Sequence, residues 1–316
     1  MNVQPERATV TREAITAAHD RIADYLPPSP VLDVESDAFG LVGAPLTLKL
    51  DLLQPTGSFK VRGALSLLTA AEVPEVGVVA ASGGNFGLAV AWAANRLGKP
   101  ASIFVPSTSP AAKLDALRAA GAQLTVVDGV YAHALAEADA WCEVTGALRA
   151  HAYDDADVVA GQGTAAVELS MQAEVDTVVV ACGGGGLLAG IATWCGSNTR
   201  VVAVETEGTA SYAAALAAGE PVDIDVSGIA MSSLGASRIG AIAWAVRDLV
   251  DEVVTVTDDQ IVAAQRRLWQ ARRLVAEPGG AAALAAVLAG SIRRDIDERI
   301  AVLVCGANTD PGDVVA

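Results

Sequence analysis

Gln54-Pro55-Thr56-Gly57-Ser58-Phe59-Lys60-Val61-Arg62-Gly63-Ala64 sets a lysine beside an aromatic ring, where turn residues give way to helix formers. A lysine that condenses with a carbonyl needs a sheltered site and a depressed pKa, and Phe59 offers Lys60 apolar cover of that kind. Read alone, Lys60 is an ordinary surface lysine opening a helix; its neighbours in the chain override that reading. After the apolar run Val76 to Ala81 come Ser82-Gly83-Gly84-Asn85-Phe86-Gly87 and then the alanine-rich stretch Leu88 to Ala94. An anion held by that loop would face a helix N-terminus. The plain alternative is a strand-to-helix turn.

Further along, Gly183-Gly184-Gly185-Gly186 lie between the apolar run Val178 to Cys182 and the helix-forming stretch Leu187 to Ala192. Without Cβ atoms such a loop turns sharply enough to aim several N–H groups into one concavity, and the helix behind it adds its positive end. Two ligands fit that loop. Gly184, Gly186 and Ala189 match the dinucleotide fingerprint G-x-G-x-x-A, with Glu205 closing the next apolar run, Arg200 to Val204, at the distance of a ribose contact. A single phosphate monoester, such as that of pyridoxal phosphate, is the other.

Five blocks in one order decide between them: Ser58-Phe59-Lys60, Ser82-Gly83-Gly84-Asn85, the glycine run, Glu277-Pro278-Gly279-Gly280-Ala281, and Cys305-Gly306-Ala307-Asn308. Over nearly its whole length the chain resembles the serine/threonine dehydratase and serine racemase group of fold-type II pyridoxal-phosphate enzymes, the tryptophan synthase β-like enzymes. That resemblance implies that Lys60 carries the cofactor as a Schiff base and, once displaced by substrate, moves the Cα proton as general base. It implies that Gly183, Gly184, Gly185, Gly186 and Leu187 hold the cofactor phosphate through backbone N–H groups. Phe59, Asn85, Gly235, Glu277 and Cys305 are further cofactor contacts, Asn85 at the ring hydroxyl and Cys305 at the pyridine nitrogen. Ser82, Gly83, Gly84 and Asn85 would bind the substrate carboxylate. A thiol does not hold the ring nitrogen protonated, which moderates the electron sink and suits β-elimination better than transamination. A buried, inert cysteine is the bland reading of Cys305.

Departures from the family narrow the chemistry. Racemases of the group resemble Ser-Ser-Gly-Asn where this chain has Ser82-Gly83-Gly84-Asn85, so the hydroxyl that serves the face opposite the lysine is missing and one-sided dehydration is favoured. Phe86 replaces the usual histidine, making the pocket entrance more apolar, and Phe86, Met231 and Ser232 are guesses for the side-chain wall. Some relatives bind a divalent metal with two carboxylates; Glu205 matches the first, but Ser211 stands at the second, so no tight metal site is expected and Glu205 reads as a strand-end carboxylate near the surface. The segment Ser58-Phe59-Lys60-Val61-Arg62 also departs from the Ser-Val-Lys-Asp-Arg of the cysteine synthases.

Composition bounds the rest. The chain has 316 residues, 52% hydrophobic but only 4% aromatic, which implies a core of Ala, Val and Leu large enough for two lobes. A net charge of −16 opposes nucleic-acid binding. No apolar run approaches the roughly 20 residues of a membrane span, and Met1 to Thr11 lack the pattern of a secretory signal. The four cysteines, Cys142, Cys182, Cys195 and Cys305, show no metal spacing, and the cytosol is their natural compartment. His133 and His151 read as structural and His19 as solvated.

Short β-branched runs alternate with alanine-rich stretches, predicting an α/β fold of open, mostly parallel sheets covered by helices. Expected strands are Leu46 to Leu50, Val76 to Ala81, Ala101 to Val105, Gln123 to Val127, Thr177 to Ala181, Val201 to Val204 and Ile300 to Val304. By resemblance there are two lobes, a large cofactor domain of residues 1–74 and 154–316 and a small inserted domain of residues 75–153, with a homodimer as the assembly. With eight residues after Asn308 in this sequence, the regulatory domain of biosynthetic threonine dehydratases is not expected.

The expected activity is a pyridoxal-phosphate ammonia-lyase acting on a small hydroxy-amino acid such as L-threonine or L-serine. Alternatives within the family are a racemase or a lyase for 3-hydroxyaspartate or phenylserine. From other classes, an NAD-linked oxidoreductase and an idle cofactor-binding sensor compete.

Overall fold

The structure, a computed structural model, describes residues 10–315. The segment read above for a secretory signal lies outside the described residues up to residue 9. Among the described residues ten strands form two sheets. The larger contains β1 (Val31–Val34), β2 (Leu46–Lys49), β7 (Thr177–Ala181), β8 (Arg200–Thr206), β9 (Glu252–Val256) and β10 (Ile300–Leu303), in the order β1-β2-β10-β7-β8-β9. The smaller contains β3 (Val78–Ala81), β4 (Ala101–Pro106), β5 (Gln123–Val127) and β6 (Leu148–Arg149), in the order β5-β4-β3-β6. Every pairing is parallel except β1 with β2.

The central strands β7, β8 and β10 are buried along almost their whole length and carry apolar runs at residues 178–181, 201–204 and 300–303, as strands of a parallel sheet covered by helices do. In chain order those that matter for the site are α1 (Arg12–Ile22), α2 (Lys60–Ala70), α3 (Asn85–Arg96), α4 (Ala111–Ala119), α5 (Tyr131–Thr145), α6 (Ala156–Gln172), α7 (Gly186–Cys195) and α8 (Ser211–Ala218). The core under the larger sheet is built of Val, Leu, Ile and Ala, and a second core under the smaller sheet takes in Ile22, Val61, Leu65 and Leu68 from α1 and α2.

Strand interiors fall where the apolar runs place them; the ends differ for local reasons. β3 starts at Val78 because Gly77 has φ +89°, and a Cβ there would collide with the Pro100 carbonyl oxygen. β2 stops at Lys49 because Leu50, at φ −94° and ψ 61°, leads into a 3-10 turn over Asp51–Leu53. The unexpected strands β1, β6 and β9 are short or half-exposed and all lie at sheet edges, where alternation is weak.

One buried feature has no signal in the apolar pattern. Arg62, fully buried in the first turn of α2, donates to Asp51 Oδ2 at 2.9 Å and to Glu168 Oε1 at 2.6 Å, while Lys49 Nζ donates to Glu168 Oε2 at 2.7 Å. Two cations thus face two carboxylates, and the cluster joins the end of β2, the start of α2 and the middle of α6. Burial alone would raise both carboxyl pKa values, but the charges and hydrogen bonds of Arg62 and Lys49 together outweigh it and hold Asp51 and Glu168 below their ordinary range.

Candidate active site

The loops that leave the C-terminal ends of β2, β3, β7 and β10 converge on one cleft, the usual position for a ligand in open parallel sheets. Lys60 opens α2, and its segment is sewn to the end of β10: the Phe59 N–H donates to the Cys305 carbonyl at 3.0 Å, and the Ala307 N–H donates to the Gly57 carbonyl at 2.8 Å. The Lys60 amine donates to the Ala152 carbonyl at 3.0 Å and lies 4.9 Å from the centre of the Phe59 ring and 5.9 Å from that of Phe86. Burial lowers its pKa to about 8, against the opposing pull of the Glu277 carboxylate.

The glycine run forms the facing wall. Each missing Cβ direction is filled from outside: a Cβ on Gly183 would stand 2.9 Å from the Leu234 carbonyl oxygen, one on Gly184 would run into the Tyr153 ring, and one on Gly185 into Ala243 Cβ. Gly185 caps α7 at φ +88°, a left-handed conformation that favours glycine. Pressed inward in this way, the backbone N–H groups of Gly183 to Leu187 donate to no protein acceptor among the described residues. Five free donors at a helix N-terminus, in a cleft that also holds a sheltered amine, fit a phosphate monoester whose aldehyde reaches that amine. Phe59, Lys60, Asn85, Gly183, Gly184, Gly185, Gly186, Leu187, Glu277 and Cys305 all line this cleft.

A second cradle lies at the start of α3. The N–H groups of Gly83, Asn85 and Phe86 have no protein acceptor among the described residues, while the Gly84 N–H donates to Ser82 Oγ at 3.4 Å. Asn85 donates its side-chain amide to Glu277 Oε1 at 2.6 Å. Burial pushes the Glu277 carboxyl up to about 7, with the Asn85 hydrogen bond working in the other direction. Cys305 is fully buried, its Sγ lies 3.6 Å from the Gly279 carbonyl oxygen, and burial lifts its pKa far above the ordinary thiol range, so it stays protonated.

Gly235 does not line the cleft; Ser233 and Leu234 do, and the Ser233 hydroxyl accepts the Gly279 N–H at 3.1 Å. Of the residues guessed for the side-chain wall, Phe86 is buried in the core of the smaller sheet and Met231 is exposed. Tyr153, packed on Gly184, lines the cleft without any signal in the sequence beyond its aromatic ring. His151 caps its own turn, its Nδ1 accepting the Asp154 N–H at 2.9 Å.

The surface reading of Glu205 is corrected. Its side chain is fully buried and takes the N–H groups of Tyr212 and Ala213, at 2.7 and 2.8 Å, at the start of α8. Burial raises its pKa to about 7 despite those two bonds. The carboxylate that the dinucleotide reading assigned to a ribose is therefore occupied as a helix cap.

The family described as "Pyridoxal-phosphate dependent enzyme" matches residues 22–306. A serine racemase from Arabidopsis thaliana is 34% identical over 325 residues, covering 99% of this chain and 98% of that protein. A biosynthetic L-threonine dehydratase from Mycobacterium leprae is 36% identical, covering 97% of this chain and 74% of that protein. Among solved structures, maize serine racemase superposes with a TM-score of 0.90 at 32% identity, covering 96% of this chain and 95% of that one. A threonine deaminase from T.th. superposes with a TM-score of 0.89 at 36% identity, covering 95% of this chain and 99% of that one.

Proposed function

The chain belongs to the pyridoxal-phosphate dependent enzymes, with the fold-type II architecture, and from that premise we propose that it is an ammonia-lyase for a small hydroxy-amino acid such as L-threonine or L-serine. The observation that carries this reading is a single sheltered amine, Lys60, between two cradles of free N–H groups. The glycine cup would hold the cofactor phosphate and the Gly83 to Phe86 loop the substrate carboxylate. When bound, the cofactor supplies an electron sink for the pair left behind when Cα loses its proton.

In this reading Lys60 would hold the cofactor through its Nζ, which would be free to act as a base once substrate is bound. Its freed Nζ then takes the Cα proton, aided by a pKa already lowered towards neutrality. The bond from Cβ to its hydroxyl breaks, that proton leaves with it as water, and the released enamine hydrolyses to a 2-oxo acid and ammonia. Neutral Cys305 would face the ring nitrogen without charging it. Asn85 and Phe59 would fix the ring, and Glu277 would hold Asn85.

The racemase reading has one observation in its favour. Ser109 Oγ lies 3.1 Å from where a Gly83 Cβ would stand, so a hydroxyl does approach that side of the loop. Products separate the two readings. With pyridoxal phosphate and L-threonine or L-serine, the expected outcome is stoichiometric 2-oxo acid and ammonia, abolished in Lys60→Ala. Accumulation of the D-amino acid without 2-oxo acid would replace the lyase reading with the racemase.

A further inference from the structure

Asn85 can present either the oxygen or the nitrogen of its amide to the cleft, and its own chain position does not choose between them. The choice is made by partners on the far side of the cleft. Asn85 Oδ1 accepts from Asn308 Nδ2 at 2.8 Å, and Asn85 Nδ2 donates to Glu277 Oε1 at 2.6 Å. Asn308 Nδ2 also donates to the Thr56 carbonyl oxygen at 2.9 Å. The two ends of this chain are a backbone carbonyl and a carboxylate oxygen. A carbonyl only accepts, so Asn308 must turn its NH₂ towards Thr56, and that same NH₂ then needs an acceptor on Asn85. With Asn85 Oδ1 consumed and one of its N–H groups given to Glu277, a single N–H remains.

We propose that Asn308 is a positioning residue that sets the orientation of the Asn85 amide, so that Asn85 presents an N–H donor, and not an oxygen, to the oxygen of the bound cofactor ring. Reversing Asn85 would set NH₂ against NH₂ at Asn308 and, with Glu277 ionised, oxygen against oxygen at Glu277. The relay also spans the cleft: Asn85 opens α3, which packs on the smaller sheet, whereas Thr56 precedes α2 and Asn308 follows β10 of the larger one. The donor is therefore aimed correctly only when the two sides are in register. The Asn308 side chain is exposed, so replacing it opens no hole in the core.

This inference rests on the pyridoxal-phosphate reading of the cleft, and one experiment separates their failures. The absorption spectrum and cofactor affinity of the holoenzyme are recorded for the parent, Asn308→Ala, Asn308→Asp, Asn85→Ala and the double variant Asn85→Ala/Asn308→Asp. A parent that takes up no pyridoxal phosphate would sink the cleft reading itself. Given a coloured parent, Asn308→Asp should act most strongly, because its carboxylate opposes the Asn85 oxygen and favours reversal of the amide. The expected result is a shifted cofactor band and roughly tenfold weaker cofactor retention, a typical loss for an orienting partner. Asn308→Ala should show a smaller shift, and in the Asn85→Ala background Asn308→Asp should add nothing. An unshifted band in Asn308→Asp, or an effect undiminished when Asn85 is already alanine, would overturn the proposal.

Discussion

At the Lys60 amine, burial draws the pKa down to about 8 while the Glu277 carboxylate pulls it upward. A base works in its neutral form, so kcat should rise with pH through roughly that value and level off above it. Glu277→Gln removes a negative charge that favours the protonated amine, so the rise should move to more acidic pH. The kcat profile of the variant checks this, and an unmoved or alkaline-shifted rise would show that Glu277 does not act on Lys60 through its charge. The identity of Lys60 was legible because Phe59 and the following blocks surround it in sequence. Its hydrogen bond to Ala152 and its proximity to Phe86 were not, because those groups are brought in by the fold.

Among the elements, α2 depends on a buried cluster as well as on its apolar face. Arg62→Met would leave Asp51 and Glu168 buried without their main cation, and unfolding by urea should show a loss of about 3–5 kcal/mol. The sign of its pH dependence follows from the lowered carboxyl pKa values. The pairing contributes fully above the ordinary carboxylate pKa of about 4 and is lost as pH falls through the lowered folded values. The gap between parent and variant should therefore narrow in acid; a gap constant with pH would assign the loss to packing instead. The apolar runs announced α2 and the central strands clearly. The partnership of Arg62 with residues 11 and 106 positions away in the chain was silent, because charge gives no periodic signal.

Across the whole fold, the cleft takes one wall from the larger sheet, the glycine cup before α7, and another from the smaller sheet, Asn85 at the start of α3. Binding of pyridoxal phosphate should raise the melting temperature and slow amide exchange in both α3 and α7, since a ligand that binds only the native state stabilises what it touches. Protection confined to α7 would mean that the smaller sheet takes no part in holding the cofactor. Among the described residues no helix is long and apolar enough to cross a membrane. We propose residues 75–153 as a small inserted domain and the remainder as the large one, with the Asn308 to Asn85 contact crossing between them.

The parallel α/β class, the cleft position of Lys60 and the two glycine-rich loops could all be read from residue order alone, because apolar runs, Gly and Lys report local requirements that the chain states one after another. Folding had to be known before Glu205 could be seen as a buried cap for α8, Tyr153 as pressing on Gly184, or Asn308 as reaching Asn85. The Tyr153 and Asn308 contacts join residues far apart in the chain, and the Glu205 cap depends on how β8 turns into α8. Hydrogen bonds and close contacts act over a few ångströms, and it is the packing of the sheets and helices that brings such partners within that range.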